Sequence, residues 1–271
     1  SEGTLGFVTA ATLKLCEAPR EVKTLFWALP SLQTGVEILG ELREQSLLIH
    51  SYEVFSKNCF ELVHKIRSFS KPFHDDAPYY LLFEIESFGS NDVVEKLEAW
   101  MGSVFERRLV HEGFMASSPS DVRAFWGWRE NITESLNQVA KVYKNDLAVP
   151  LREMAAFVAE LETRAGKWFG NDKLFLFGHL GDGSLHVNLA KPDAMEIGEF
   201  RMLCEKHNHE LFALVQRHRG SIAAEHGIGL LKRDFLGYSK SPEEITLMRA
   251  LKKVFDPKNL MNPGKLLAPE L

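Results

Sequence analysis

Apolar positions in this chain switch repeatedly between two periods. Runs over 22–29, 46–54 and 78–87 are continuous or alternate with period two, which predicts strands. Between and after them, 31–45, 56–69 and 91–107 carry apolar residues three and four apart, which predicts helices. In the last of these Val94, Leu97, Met101 and Val104 make one stripe. Ser120, with Asp121 in the first turn, reads as the N-cap of a further helix.

The second half has a more telling order. A strand over 146–149 precedes a helix opened by Pro150 and closed by Gly166. Strands over 173–179 and 184–190 follow, then a helix over 194–218 and a strand over 221–226. That is β-α-β-β-α-β, the split β-α-β order of ferredoxin-like folds. The first half is similar, so the expected fold class is α+β: a duplicated ferredoxin-like antiparallel sheet with helices on one face.

Composition narrows the function. Of 271 residues 45% are hydrophobic and 25% charged, which supports a globular core and excludes a disordered chain. The formal charge is -5, so a nucleic acid or an anionic membrane surface is not an expected partner. No apolar run is long enough for a transmembrane helix. Cys16, Cys59 and Cys204 are scattered and odd in number, which is neither a disulfide framework nor a zinc knuckle.

Three polar clusters carry candidate chemistry. In the first, Gly178-His179-Leu180-Gly181-Asp182-Gly183-Ser184-Leu185-His186-Val187-Asn188, strand-like runs flank a four-residue hairpin turn. Alternation then puts Ser184, His186 and Asn188 on one face and makes His179 and His186 diagonal neighbours, about 7 Å apart. Two such imidazoles can converge on a cation, or simply bond to nearby backbone. The second cluster, Glu225-His226-Gly227-Ile228-Gly229, leaves an apolar run into a Gly-x-Gly turn. His179, His186 and Glu225 would make a two-histidine, one-carboxylate set suited to Zn²⁺ or Mn²⁺, with His226 as a base. A solvated Glu–His pair is the plainer alternative. The third cluster pairs Arg129 and Thr133, four apart on one helix face, with Lys144 beyond them. Arg and Lys together suit carboxylate binding, whereas a solvated helix face with an intrahelical Arg–Glu pair is the alternative.

These segments, with Asp256-Pro257-Lys258-Asn259-Leu260-Met261-Asn262-Pro263-Gly264-Lys265, resemble the signature stretches of FAD-linked oxidases that act on D-2-hydroxy acids. That family joins a flavin module of the vanillyl-alcohol-oxidase type to a ferredoxin-like substrate domain. Arg129, Thr133 and Lys144 match the branch that oxidises D-2-hydroxyglutarate; a D-lactate or glycolate substrate is the alternative within the family. The resemblance implies that His179, His186 and Glu225 are metal ligands, Asn188 a substrate contact and His226 the base. Ser184 stands where the family usually has Asn, which leaves both loop histidines in place.

The opening 1–6 looks like the stretch that closes the flavin module, so the chain is expected to be the C-terminal part of a longer protein, inert alone. The implied division is 1–20 with the flavin module, 21–240 as substrate domain, and 241–271 returning to the flavin, with Glu2, Gly3, Gly6 and Asn262 as cofactor contacts. FAD and a divalent metal are the implied cofactors. A small 2-hydroxy acid, an unnamed electron acceptor and a second copy in a homodimer are the implied partners. The family setting implies the cytoplasm in a bacterium and the mitochondrial matrix in a eukaryote. A metal-dependent hydrolase using the same ligands is the reading from another class; the opening and closing segments, which a hydrolase does not need, weigh against it.

Overall fold

A computed structural model of the chain describes residues 1–88 and 91–268. The first half runs β1 (Glu21–Leu29), α1 (Leu32–Glu44), β2 (Ile49–Ser56), α2 (Lys57–Arg67), β3 (Tyr79–Ser87), α3 (Asn91–Glu106) and β4 (Glu112–Met115). Helix α4 (Pro119–Val139) leads to the second half: β5 (Val142–Ala148), α5 (Leu151–Trp168), β6 (Leu174–His179), β7 (Ser184–Ala190) and α6 (Ile197–Arg217). Helix α7 (Pro242–Phe255) follows, opened by a capping box between Ser241 and Glu244. The last three residues of the expected C-terminal segment lie outside the described ones.

Among the described residues, seven strands form one antiparallel sheet in the order β4-β1-β3-β2-β6-β7-β5. In each half the third strand lies between the first two, β3 between β1 and β2 and β7 between β6 and β5. The α+β expectation holds, and the halves meet along a β2–β6 seam where Glu53 stands opposite His179.

Three local expectations change. The strand expected over 221–226 shrinks to one bridge, Ala148 with Ser221. Beyond it side chains replace the ladder: Asp146 Oδ2 accepts the N–H groups of Glu225 and His226, and Lys232 Nζ donates to the carbonyl of Ile222. Ser118, rather than Ser120, caps α4, accepting the N–H of Asp121, because Pro119 already takes the first helical position. Strand β5 begins at Val142, so Lys144 lies within it. The short edge strand β4 carries too few apolar residues to announce itself. Gly113 lets it cross Trp27, for a Cβ there would stand 2.4 Å from Trp27 Cδ1.

Alternation sorts the side chains. Leu25, Trp27, Leu81, Phe83, Leu185 and Val187 face α1, α3, α5 and α6. Phe26, Phe55, Tyr80 and Leu82 face the other way, under α2 and α4, where the Phe60 ring stacks 4.0 Å from Tyr80 and 4.2 Å from Trp128. Helices therefore cover both faces, not one. Strands β1 and β3 are apolar on both sides, and such strands need cover on both. On β5 and β7 the second face turns polar, presenting Lys144, Asp146, His186 and Asn188 to a cavity.

Candidate active site

The β6–β7 hairpin builds the first wall. Phe177 pairs with His186, and the N–H groups of Asp182 and Gly183 donate to the carbonyls of His179 and Leu180 to close the turn. Gly183 has φ +82°, and a Cβ there would sit 2.3 Å from the carbonyl oxygen of Val149, so only glycine fits. His179 ends β6, while His186 and Asn188 share a face of β7, and the two imidazole centroids are 5.6 Å apart. The 221–229 segment brings in Glu225, whose Oε1 lies 3.8 Å from His179 Nε2 and 3.6 Å from His186 Nε2. The three groups can each offer a ligand atom within 4.8 Å of the others.

Two carboxylates that sequence reasoning passes over hold these imidazoles. Glu53 Oε1 lies 2.5 Å from His179 Nδ1, and Asp146 Oδ1 lies 3.3 Å from His186 Nδ1. Both Nε2 atoms are thereby turned toward Glu225, the outer arrangement that metal-binding histidines require. The one signal for either residue is a buried carboxylate inside a mostly apolar strand. Burial pushes the Asp146 carboxyl up, but hydrogen bonds from His186 and from the N–H groups of His226 and Glu225 outweigh it and hold it well below the usual carboxylate range. Lys232 Nζ donates to the carbonyls of Asp146 (3.0 Å) and Ile222 (2.5 Å); burial lowers its pKa, against the pull of the Asp146 charge.

Arg129, Thr133, Lys144 and Asn188 line one cavity of about 600 Å³ with His186, Glu225 and His226. Lys144 and Asn188 are direct cross-strand partners. Arg129 does not pair with Glu130; its Nε donates to Glu53 Oε2 at 2.8 Å, and its guanidinium lies 4.8 Å over the Phe177 ring. Asn188 is 3% exposed and its Nδ2 has no partner, an orphaned donor at the cavity wall. The His226 ring stacks 6.1 Å from His186, its side chain 70% exposed. His179 opens instead onto a neighbouring cavity of about 500 Å³, together with Glu53 and Tyr52.

The expected cofactor contacts divide. Both Glu2 oxygens accept N–H groups of the Gly-x-Gly turn, from Ile228 and Gly229, each at 2.7 Å. Asn262 Nδ2 donates to the Glu2 carbonyl at 2.6 Å and packs near Gly3. Glu2, Gly3, Asn262 and the turn therefore form one cluster, while Gly6 has no neighbour in contact at its Cβ position. The Glu2 carboxylate closes the turn. Cys16, Cys59 and Cys204 are free thiols, and no described helix is long and apolar enough to cross a membrane.

The cluster and the cavity beside it lie on one antiparallel sheet. The chain belongs to the FAD linked oxidases, whose C-terminal domain matches residues 18–266. Among curated relatives, it is 37% identical over 268 residues to a D-2-hydroxyglutarate dehydrogenase of Stutzerimonas stutzeri, covering 99% of this chain and 57% of that protein. It is 35% identical over 268 residues to the mitochondrial D-2-hydroxyglutarate dehydrogenase of Bos taurus (98% and 48%). A Schizosaccharomyces pombe protein, named provisionally as a mitochondrial D-lactate dehydrogenase, is 33% identical over 276 residues (98% and 51%). The chain thus spans about half the length of these relatives. The fold is shared with 4-ethylphenol oxidase from Gulosibacter chungangensis, at TM-score 0.61 and 13% identity over 95% of this chain and 56% of that one. Family membership sets the hydrolase reading aside.

Proposed function

We propose that this chain is the substrate-binding part of a flavin-dependent D-2-hydroxy-acid dehydrogenase, with D-2-hydroxyglutarate as substrate and a divalent metal, Zn²⁺ or Mn²⁺, at His179, His186 and Glu225. The observation that carries this reading is the convergence of those three groups at the edge of a cavity walled by Arg129, Thr133, Lys144 and Asn188. The donor set fits the metal: two imidazole nitrogens and one carboxylate leave coordination positions open. The unpartnered Asn188 donor fits an oxygen-rich ligand.

When bound, FAD supplies a hydride acceptor and the metal a Lewis acid beside the substrate hydroxyl. The chain's own residues do the rest. Arg129 and Lys144 hold carboxylates, Thr133 and Asn188 donate to substrate oxygens, and His226 takes the hydroxyl proton on an imidazole nitrogen. Its main chain is fixed for this by the bond from His226 N–H to Asp146, 3.0 Å long. In this reading 1–20 and 241–271 belong with the flavin module and 21–240 form the substrate domain; Glu2, Gly3, Gly6 and Asn262 lie toward the cofactor. The meeting of the N-terminal stretch with the tail through Glu2 and Asn262 supports that division.

D-lactate is the second reading, favoured by the yeast relative's name. Arg129 and Lys144 in one cavity suit a diacid better than a monoacid. The test is kcat/KM of the full-length protein for D-2-hydroxyglutarate and D-lactate, before and after chelation. We expect the diacid to be preferred and activity to fall on chelation. A preference for D-lactate overturns the substrate assignment, and indifference to chelation overturns the metal.

A further inference from the structure

We infer that Glu53 is a positioning residue that sets, with one carboxylate, both the tautomer of His179 and the aim of Arg129; this rests on the metal and substrate roles proposed above. Glu53 lies on β2, directly opposite His179 of β6, where the two halves of the sheet join. Its side chain is 8% exposed, between the buried Tyr52 and Val54. A charge buried there is costly unless both oxygens are paired, and both are. Oε1 meets His179 Nδ1 at 2.5 Å and Oε2 meets Arg129 Nε at 2.8 Å.

Each bond has a chemical consequence. An ionised carboxylate only accepts, so His179 must carry its proton on Nδ1, which leaves a lone pair on Nε2. Nε2 is the atom that faces Glu225, 3.8 Å away. Among the described residues Arg129 is bound through Nε, with its plane laid over Phe177, so its two terminal nitrogens keep their hydrogens for a ligand. Because the guanidinium is rigid and planar, fixing Nε and the stacking face fixes where that fork points. One buried group of the first half thus orients a metal ligand of the second half and a carboxylate reader on α4. The same bonds would appear in a plain structural ion pair, but a structural pair has no need of one particular imidazole tautomer.

The substitution Glu53→Gln separates the two. A carboxamide offers one acceptor oxygen to two donors. If that oxygen serves Arg129, its NH₂ group meets His179 Nδ1, which must then accept and place the proton on Nε2, where it blocks a metal. The readout is imidazole ¹⁵N NMR of the metal-free protein, with His179 assigned by its loss in His179→Gln. We expect the Nδ1–H tautomer in the wild type and Nε2–H in Glu53→Gln. Zn²⁺ affinity should drop on the order of 10- to 100-fold in that variant. If the oxygen serves His179 instead, the tautomer is kept and glutarate affinity, which needs the aim of Arg129, should drop in Glu53→Gln but not in His179→Gln. An Nε2–H tautomer in the wild type overturns the inference without any variant having to fold. So does a Glu53→Gln chain that keeps the wild-type tautomer, Zn²⁺ affinity and glutarate affinity together. If the wild type shows Nδ1–H yet binds no Zn²⁺, the hold of Glu53 on His179 stands and the metal assignment falls.

Discussion

Replacing Asp146 by Asn keeps the shape of the side chain and removes its charge. Asp146 Oδ2 accepts the N–H groups of Glu225 at 2.9 Å and His226 at 3.0 Å, while Oδ1 stands 3.3 Å from His186 Nδ1. A carboxamide has one oxygen for these two directions, so it must weaken either the grip on the 225–226 backbone or that on His186. Hydrogen bonds to a charged group contribute about 1.5–3 kcal/mol each, against about 0.5–1.5 for neutral ones. Two weakened bonds therefore cost about 2–3 kcal/mol. With unfolding entropy near 2.1 cal/mol/K per residue, the 271-residue chain has a slope of about 0.57 kcal/mol/K, and Tm should fall by about 4–5 °C. Zn²⁺ affinity should fall as well, on the order of 10- to 100-fold, because Glu225 and His186 lose their common anchor. Differential scanning fluorimetry and Zn²⁺ titration read the two effects. Should both Tm and Zn²⁺ affinity match the wild type, Asp146 is not what holds the 221–229 segment against β5.

Four further outcomes are expected. In the full-length protein Lys144→Met should lower kcat/KM for D-2-hydroxyglutarate about ten- to a hundredfold and spare D-lactate; equal losses would show that Lys144 does not read the second carboxylate. His186→Ala leaves two of the three candidate ligands, so the zinc-to-protein ratio after dialysis should drop sharply. Gly113→Ala drives a methyl into the Trp27 ring and should cost about 1–3 kcal/mol, seen as a lower urea midpoint; an unchanged midpoint would mean that β4 can move off Trp27. Lys252, aided by the N–H groups of Leu260 and Met261, lowers the Asp256 carboxyl to about 2. A depressed carboxylate stabilises the fold above its unfolded pKa, about 3.9, and that contribution disappears as pH falls through 2. Asp256→Asn should therefore flatten the wild-type loss of Tm between those pH values, and an identical acid limb in both proteins would remove this residue from the account.

Much of the site is legible because alternation is local. Once 173–179 and 184–190 are strands with a four-residue turn, His179, His186 and Asn188 follow from parity alone. The grouping of Glu225 with them was readable only as a possibility of chemistry, since its distance depends on where the 221–229 segment lies. That segment resembles a strand because Ser221-Ile222-Ala223-Ala224 is apolar, yet its hydrogen bonds go to the side chains of Asp146 and Lys232, which no local period can reveal. Glu53 is hidden for a related reason. It sits within Tyr52-Glu53-Val54-Phe55, and its role depends on a partner 126 residues away across the seam. The two-faced helix cover could have been read from β1 and β3, which are apolar without alternation.

The two halves of the sheet differ most in one connection. Between β2 and β3 the chain inserts α2, whose Phe60 and Cys59 pack down on Phe55 and Tyr80; between β6 and β7 it spends four residues on a turn. The two halves share one strand order, and the longer connection packs a helix onto its strands while the shorter one leaves the corresponding face of the other half lined by a cavity. The cavity is in this sense an omission. A helix the size of α2 in place of the 180–183 turn would occupy that space.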